Sequence, residues 1–439
     1  MFVVIKYMNV EEIKKVITDQ HEEIKDIWNL GKIIPRDVPT KQLTHFLTHP
    51  NILVITGARR SGKSILSNQL FHDKKHGYIN FDDERLIGLK PEDLNNVLQA
   101  FYELYGSEIE YFIFDEIQNI DKWELFANRL RRTKKIIITG SNSNLLSGEL
   151  ATHLTGRHID FTLYPFSFKE YLNFNDVNIS KEAIYSTKKI SEIKNHLNNH
   201  ISQGGYPEVY KFGKAMIMRT YEDIIQKDIL LKYKIKNQKT FRELSKFLIS
   251  NFSNEITYSK LKNVSLIKDV HTVRNYVDYL TTSYLTFVLE RFSFSLKQQT
   301  IAPKKIYCID TGLIHAIAFR FSENMGRVLE NLVAIEILRR KSYWQNDFEL
   351  YYWKDHQQRE VDFVIKKGPK VVKLIQVSYV SGENEIEKRE LTAMIKASES
   401  LNCKNLILIT WDFEDEIFKD NHKIQCIPVW KWLIEYMFA

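Results

Sequence analysis

The residues whose types and spacing could do chemistry begin with Gly57-Ala58-Arg59-Arg60-Ser61-Gly62-Lys63-Ser64. The apolar run Ile52-Leu53-Val54-Ile55 precedes them and the apolar-periodic Ile65-Leu66-Ser67-Asn68-Gln69-Leu70 follows, so the stretch reads as strand, glycine loop and helix. It fits G-x-x-x-x-G-K-[ST], the Walker A pattern, in which glycines let main-chain N–H groups wrap phosphates and the helix N-terminus adds its dipole. Lys63 is expected to reach the β- and γ-phosphates and Ser64 a Mg²⁺ ion. An ordinary strand-to-helix turn is the alternative, but both flanks are those a nucleotide loop requires.

Further on, Tyr111-Phe112-Ile113-Phe114 runs into Asp115-Glu116, an apolar strand delivering two acids as in a Walker B segment. Asp115 would hold Mg²⁺ and Glu116 would orient or polarise the attacking water. Lys134-Lys135-Ile136-Ile137-Ile138-Thr139-Gly140-Ser141-Asn142 is another buried strand with a polar end. In additional-strand ATPases this position senses the γ-phosphate; Asn142 is the first choice and Ser141 the second, unless both cap the next helix. Arg157, after Gly156, can serve as an arginine finger, in cis or from a neighbouring subunit, or as a surface ion-pair partner. Arg36, in the break Lys32-Ile33-Ile34-Pro35-Arg36-Asp37-Val38-Pro39, either borders the nucleotide base or is a solvated linker residue.

These groups need a scaffold. At 439 residues the chain is too long for one core, and an apolar fraction of 44% with 13% aromatics suits packed globular domains. Sixty-two basic and fifty-five acidic residues leave a formal charge of +7, which matters only where it clusters. Cys308, Cys403 and Cys426 are dispersed and odd in number, so neither a disulfide framework nor a C-x-x-C metal site is expected and a reducing cytoplasm fits. The run Met1-Phe2-Val3-Val4-Ile5 stops at Lys6, too short for a signal-peptide core, and no run is long enough for a membrane span. A soluble protein with no membrane partner is expected.

In chain order, Val10, Ile13, Val16 and Ile17 predict an amphipathic helix within 9–30, Gly77 to Asp83 a short strand, and Pro91 to Tyr105 a helix. Tyr221 to Lys236 reads as a helix with Ile224, Ile225, Ile229 and Leu230 inward. Between Gln226 and Lys268 stand ten Lys or Arg against three Asp or Glu, an excess equal to the whole formal charge. Helices are predicted over Phe241 to Phe252, after Thr257, and from Asp269 to about Thr282, followed by the β-rich Tyr284 to Phe294. That order suggests a winged helix-turn-helix whose last helix offers His271, Thr272, Arg274, Asn275 and Asp278 to a major groove, while Lys232, Lys234 and Lys236 supply phosphate contacts. A winged helix used only for packing remains the alternative.

The chain resembles the AAA-like ATPases of archaea and bacteria that carry a C-terminal nuclease-like domain. The resemblance rests on Gly57 to Ser64, Phe114-Asp115-Glu116-Ile117-Gln118, Thr139-Gly140-Ser141, Leu154-Thr155-Gly156-Arg157 and Leu163-Tyr164-Pro165-Phe166-Ser167-Phe168-Lys169-Glu170-Tyr171. It continues through Gly204-Gly205-Tyr206-Pro207-Glu208, which is also similar to the lid of STAND-type signalling ATPases, and Lys304-Lys305-Ile306-Tyr307-Cys308-Ile309-Asp310-Thr311-Gly312-Leu313. It implies ATP with Mg²⁺, and no guanine-reading N-K-x-D motif follows the acidic strand. Beyond these, a helix from Gly326 to Arg340 and strands around Leu350 to Trp353, Glu360 to Ile365 and Val371 to Ser378 are laid out like a PD-(D/E)XK nuclease core. Glu330 and Asp362 match its first two acids, whereas Gln376 and Ser378 replace its glutamate and lysine. The amide oxygen can still ligate a metal, but the serine cannot replace the ammonium, for which Lys388 or Lys396 are substitutes.

The expected fold class is therefore α/β, a P-loop NTPase with a helical lid, a winged helix-turn-helix and a C-terminal restriction-endonuclease-like α/β domain. The expected borders are a helical lead-in at 1–48, ATPase core at 49–170, lid at 171–236, winged helix at 237–298 and nuclease-like domain at 299–439. The expected function is ATP hydrolysis coupled to DNA association, with homo-oligomerisation through Arg157. A nucleotide-gated scaffold and a metal-dependent nuclease are the competing readings.

Overall fold

Strands buried on both faces read as near-continuous apolar runs, as the inner residues of Ile52–Thr56 (β1), Tyr111–Asp115 (β3) and Lys135–Gly140 (β4) do. In the computed structural model, which describes residues 8–146, 154, 156–180, 185–318 and 325–435, they lie centrally in a five-stranded parallel sheet. The Met1 to Ile5 run and Thr155 lie outside the described residues. With His76–Asn80 (β2) and His158–Thr162 (β5) the order is β2-β3-β4-β1-β5. Register sets Thr56 beside Gly140 and Thr162, and Asn80 beside Asp115, so the carboxyl ends finish level.

Helix α1 (Val10–Leu30) opens with a capping box in which Asn9 accepts from the Glu12 N–H and Glu12 from the Asn9 N–H. A short helix α2 (Thr40–Phe46) precedes β1; Lys63–Leu70 (α3), Leu94–Tyr105 (α4) and Trp123–Leu130 (α5) alternate with the strands. Ile13, Val16 and Ile17 of α1 and Val97 and Phe101 of α4 join Phe112 and Phe114 in one core. Each such side chain contributes about 1.5–3 kcal/mol of burial, which fixes β3 and the acids at its end. This unit runs from Met1 to Leu163.

The second unit, Tyr164–Ala439, starts with four helices, Phe168–Phe174 (α6), Thr187–Gln203 (α7), Pro207–Phe212 (α8) and Ala215–Asp223 (α9). The helix expected through Lys236 changes at Ile224 into a π-helical stretch, Ile224–Leu231. That wider turn buries Ile224, Ile225, Asp228, Ile229 and Leu230 together, a broader face than a 3.6-residue period offers. Next come Gln238–Ser250 (α10), Asn254–Ile256 (β6), Tyr258–Ser265 (α11), Val270–Thr282 (α12), Thr286–Leu289 (β7), Leu296–Ile301 (α13) and Lys304–Cys308 (β8). The antiparallel order is β6-β8-β7. A border at 298 would therefore cut this small sheet, because β8, expected to open the last domain, is its central strand.

After Thr311–Ile317 (α14), helix α15 (Met325–Tyr343) leads into Glu349–Lys354 (β9), Glu360–Lys367 (β10) and Lys370–Ser378 (β11), then Lys388–Leu401 (α16) and Leu406–Thr410 (β12). Asp415–Lys419 (β13), His422–Pro428 (β14) and Val429–Glu435 (α17) finish the unit, and the mixed sheet runs β13-β14-β12-β11-β10-β9. No described helix is long and apolar enough to cross a membrane.

Candidate functional site

The loop between β1 and α3 turns on two glycines. Gly57 has φ +144°, and a Cβ there would run into the Leu163 carbonyl oxygen, so only glycine lets the chain leave β1 at that angle. Gly62, at φ +95°, is the left-handed residue from which α3 starts. Lys63 is buried and its Nζ donates to the Gly57 and Ala58 carbonyls, both at 3.1 Å. Ser61 Oγ is buried without a hydrogen-bond partner among the described residues. A buried ammonium, an unpaired hydroxyl and the N-terminal N–H groups of a helix fit a phosphate chain. The Arg36 guanidinium donates to the Ser61 carbonyl at 2.9 Å, so the break before the sheet does bring this residue to the loop.

At the end of β3, Asp115 is buried among hydroxyls. Tyr78 Oη donates to Oδ2 at 2.7 Å, and Thr139 Oγ1 donates to Oδ1. Burial, and then the charge of Glu116, raise the Asp115 carboxyl above its usual range, while hydrogen bonds from Ser64, Thr139 and Tyr78 oppose the rise. The Asp115 carboxylate and the Ser64 hydroxyl are hard oxygen donors, the kind Mg²⁺ takes.

Glu116 adopts φ 52°, ψ 37°, a left-handed conformation uncommon for a side-chain-bearing residue. The turn brings its carboxylate over the end of β4. Ser141 donates to Oε2 from both its N–H (3.1 Å) and its hydroxyl (3.2 Å), Gln118 donates to the same oxygen, and Lys63 Nζ lies 3.9 Å from Oε1. Of the two residues expected at the β4 end, Ser141 is thus the one in contact with Glu116, and Asn142 is buried next to it in sequence. Arg59 pairs with Asp82 at 3.2 Å, and Arg60 stands at φ 64° in the loop.

Arg157 lies elsewhere. Its carbonyl accepts from the Ile52 N–H at 3.0 Å, at the amino end of β1, and its guanidinium donates to Asn128 at 3.3 Å. Four strand steps of about 3.3 Å separate Ile52 from Thr56, so the glycine loop is roughly 13 Å away along β1. The cis arginine finger is therefore corrected: Arg157 faces away from the loop of its own chain.

In the second unit, Glu330, Asp362, Gln376 and Ser378 line one cleft of about 1030 Å³, with Glu390 and Glu360. The Asp362 N–H donates to Gln376 Oε1 at 3.3 Å, the Val377 N–H to Asp362 Oδ2 at 3.0 Å, and Ser378 Oγ to Glu390 Oε2 at 2.9 Å. The ammonium is not Lys388 or Lys396. Lys388 is exposed and Lys396 pairs with Glu399 on the outer face of α16, whereas Lys305 from β8 donates to Glu330 at 2.9 Å and Asp362 at 3.0 Å. Burial, then Asp362, push the Glu330 carboxyl up to about 8 against the pull of Lys305; burial pushes Glu390 up to about 7. No three or more His, Cys, Asp or Glu side chains among the described residues are grouped to hold a metal ion.

His271, Arg274 and Asn275 are exposed on α12, whose Val273, Val277 and Leu280 are buried. Lys232, Lys234 and Lys236 are exposed, and Tyr233 among them stacks on Tyr279 of α12 with ring centroids 3.7 Å apart. The turn at Gly204 to Pro207 is tied to Asp310, whose Oδ2 accepts from the Gly205 N–H at 2.5 Å. Gly204 sits at φ +76° where a Cβ would strike that carboxylate.

A parallel sheet in the order above, a glycine loop opening α3, and paired acids at the end of β3 define the P-loop fold of AAA-type ATPases. A model of the AAA domain matches residues 49–172, and models of two domains of unknown function, DUF8612 and DUF4143, match 194–324 and 325–432. An uncharacterised protein of Methanocaldococcus jannaschii is 37% identical over 447 residues, covering 96% of this chain and 95% of that one. One of Haemophilus influenzae is 30% identical over 424 residues, covering 92% and 99%. The chain belongs to the family these two proteins share. The solved Walker-type ATPase of Pyrococcus abyssi is 14% identical, with a TM-score of 0.41 over 65% of this chain and 96% of that one.

Proposed function

We propose that the chain is a Mg²⁺-dependent ATPase whose nucleotide state governs how a winged-helix and nuclease-like module engages duplex DNA. The observation that carries the ATPase reading is the convergence of Lys63, Asp115, Glu116 and Ser141 at the carboxyl ends of β1, β3 and β4. Bound Mg²⁺ would supply charge neutralisation at the phosphates, held by Ser64 and Asp115. Lys63 would exchange two carbonyl partners for phosphate oxygens. Glu116, with one oxygen fixed by Ser141 and Gln118, would orient water and accept its proton. Arg157 would act only on a neighbouring subunit's nucleotide.

The DNA reading is supported by the order helix, strand, helix, helix, strand, short helix, strand from α10 to β8, which resembles a winged helix with α13 inserted in its wing. The Tyr233–Tyr279 stack brings the basic run Lys232 to Lys236 against the helix that would enter the groove. The order α15, β9, β10, β11, α16, β12 supports a nuclease-like core. Because Gln376 and Ser378 lack the charges for cutting DNA, that core is read as a binding element, which also keeps a nucleotide-gated scaffold as the second reading.

Duplex DNA titrated at two salt concentrations tests the proposal, together with ATPase rates with and without DNA. Binding should weaken steeply with salt, by about 0.9 in log–log slope for each phosphate contact. Charge reversal at Lys232, Lys234 and Lys236 should remove most of it. No DNA affinity at low salt, with ATP turnover intact, would leave the scaffold.

A further inference from the structure

Lys305 is a buried lysine that ATP chemistry does not use, and it comes from the central strand of the small sheet, not from α15 or β10, which carry the acids. Its side chain is 2% exposed. The ammonium donates to Glu330 Oε1 at 2.9 Å and Asp362 Oδ1 at 3.0 Å and forms an ion pair with Glu360 Oε1 at 2.5 Å, so three carboxylates surround it. The Tyr352 ring lies below, its centroid 5.8 Å from Nζ. Tyr307 Oη adds a hydrogen bond to Glu330 Oε1 at 2.6 Å.

The metal that a nuclease-like core would imply meets a poor donor set here. Oxygens of both acids already hold the ammonium, the second Asp362 oxygen takes the Val377 N–H, and Gln376 Oε1 takes the Asp362 N–H. A divalent ion would have to displace Lys305 from all three carboxylates it pairs with. We propose that Lys305 is the resident cation of this cleft, occupying in place of a divalent metal the position between Glu330 and Asp362. The cleft is then a metal-independent element. This inference stands on the cleft alone and does not depend on DNA association.

Mn²⁺ titration of the nucleotide-free full chain, followed by calorimetry, tests it. Wild type and Asp362→Asn should bind Mn²⁺ alike up to about 1 mM, the weak end of carboxylate cation sites. Lys305→Met should gain one Mn²⁺ site, roughly tenfold tighter than any in the wild type, and the added Asp362→Asn change should abolish it. Asp362-dependent Mn²⁺ binding by the wild type overturns the proposal, as does a folded Lys305→Met protein that gains no site. If Lys305→Met does not fold, the wild-type and Asp362→Asn pair still decides.

Discussion

The end of β3 and the C-terminal cleft both bury acids, and they neutralise them in opposite ways. Around Asp115 the partners are hydroxyls, Tyr78 and Thr139, with the nearest cation, Lys63, 3.9 Å from the neighbouring Glu116. Around Asp362 the partner is the Lys305 ammonium, which is paired with three carboxylates. A buried carboxylate needs either a cation or a proton. Near β3 the carboxylate is held by neutral hydroxyls, which leaves room for the Mg²⁺ proposed above. In the cleft it is built in, which suits a site that stays as it is.

The largest effect that would break this contrast is on turnover. Glu116→Gln keeps the shape and the Ser141 contacts but removes the proton acceptor, so ATP hydrolysis should fall by about 10²–10⁴-fold while nucleotide binding persists. Steady-state phosphate release beside a fluorescent-nucleotide titration measures both. Hydrolysis near the wild-type rate would remove Glu116 from the mechanism.

The second test is stability. Asp362→Asn takes one charge from a largely buried cluster and leaves Lys305 short of a partner, which should cost about 3 kcal/mol in urea unfolding. Asp115→Asn without nucleotide should cost about 1 kcal/mol or less, because rotatable neutral hydroxyls can adapt to an amide. Equal losses would mean the two neighbourhoods do not differ as described.

The two regions also differ in how far the sequence discloses them. The glycine loop and the acids after Phe114 are contiguous motifs, and the apolar runs before them foretell a parallel sheet. Tyr78 and Thr139 could be found only from strand register, since Asn80 beside Asp115 is what brings β2 to β3. Lys305 lies 25 residues from Glu330 and 57 from Asp362, in a segment that reads as the opening of the last domain, and no periodicity shows that it pairs with β6 and β7. Arg157 was misleading for a related reason. A glycine–arginine pair looks the same at either end of a sheet, and only the bond from Ile52 to its carbonyl shows which end it occupies.

A smaller, pH-dependent effect sharpens the picture of the cleft. Burial holds the Glu390 carboxyl at about 7 against an ordinary 4.5, so the folded chain keeps a proton that the unfolded chain releases. Stability is therefore lost as pH rises from about 4.5 to 7 and is level above that. Glu390→Gln can still accept from Ser378 and carries no such penalty. It should be more stable than wild type by about 1–2 kcal/mol at pH 8, allowing for partial exposure, and equal to it at pH 4. Urea midpoints at the two pH values give the comparison.

The smallest expected change tests whether hydroxyls, rather than a cation, are what Asp115 relies on. Thr139→Val keeps the β-branched shape that β4 packs and deletes the hydroxyl donated to Asp115 Oδ1. With Tyr78 still in place the cost should be about 1 kcal/mol, the worth of one neutral hydrogen bond. The loss should be larger at pH 8 than at pH 4: the hydroxyl favours the ionised carboxylate, whose rise is driven by burial and Glu116, so removing it raises the Asp115 carboxyl further. A loss that is independent of pH would instead assign Thr139 to packing alone and leave Tyr78 and Ser64 as the groups that hold the charge on Asp115.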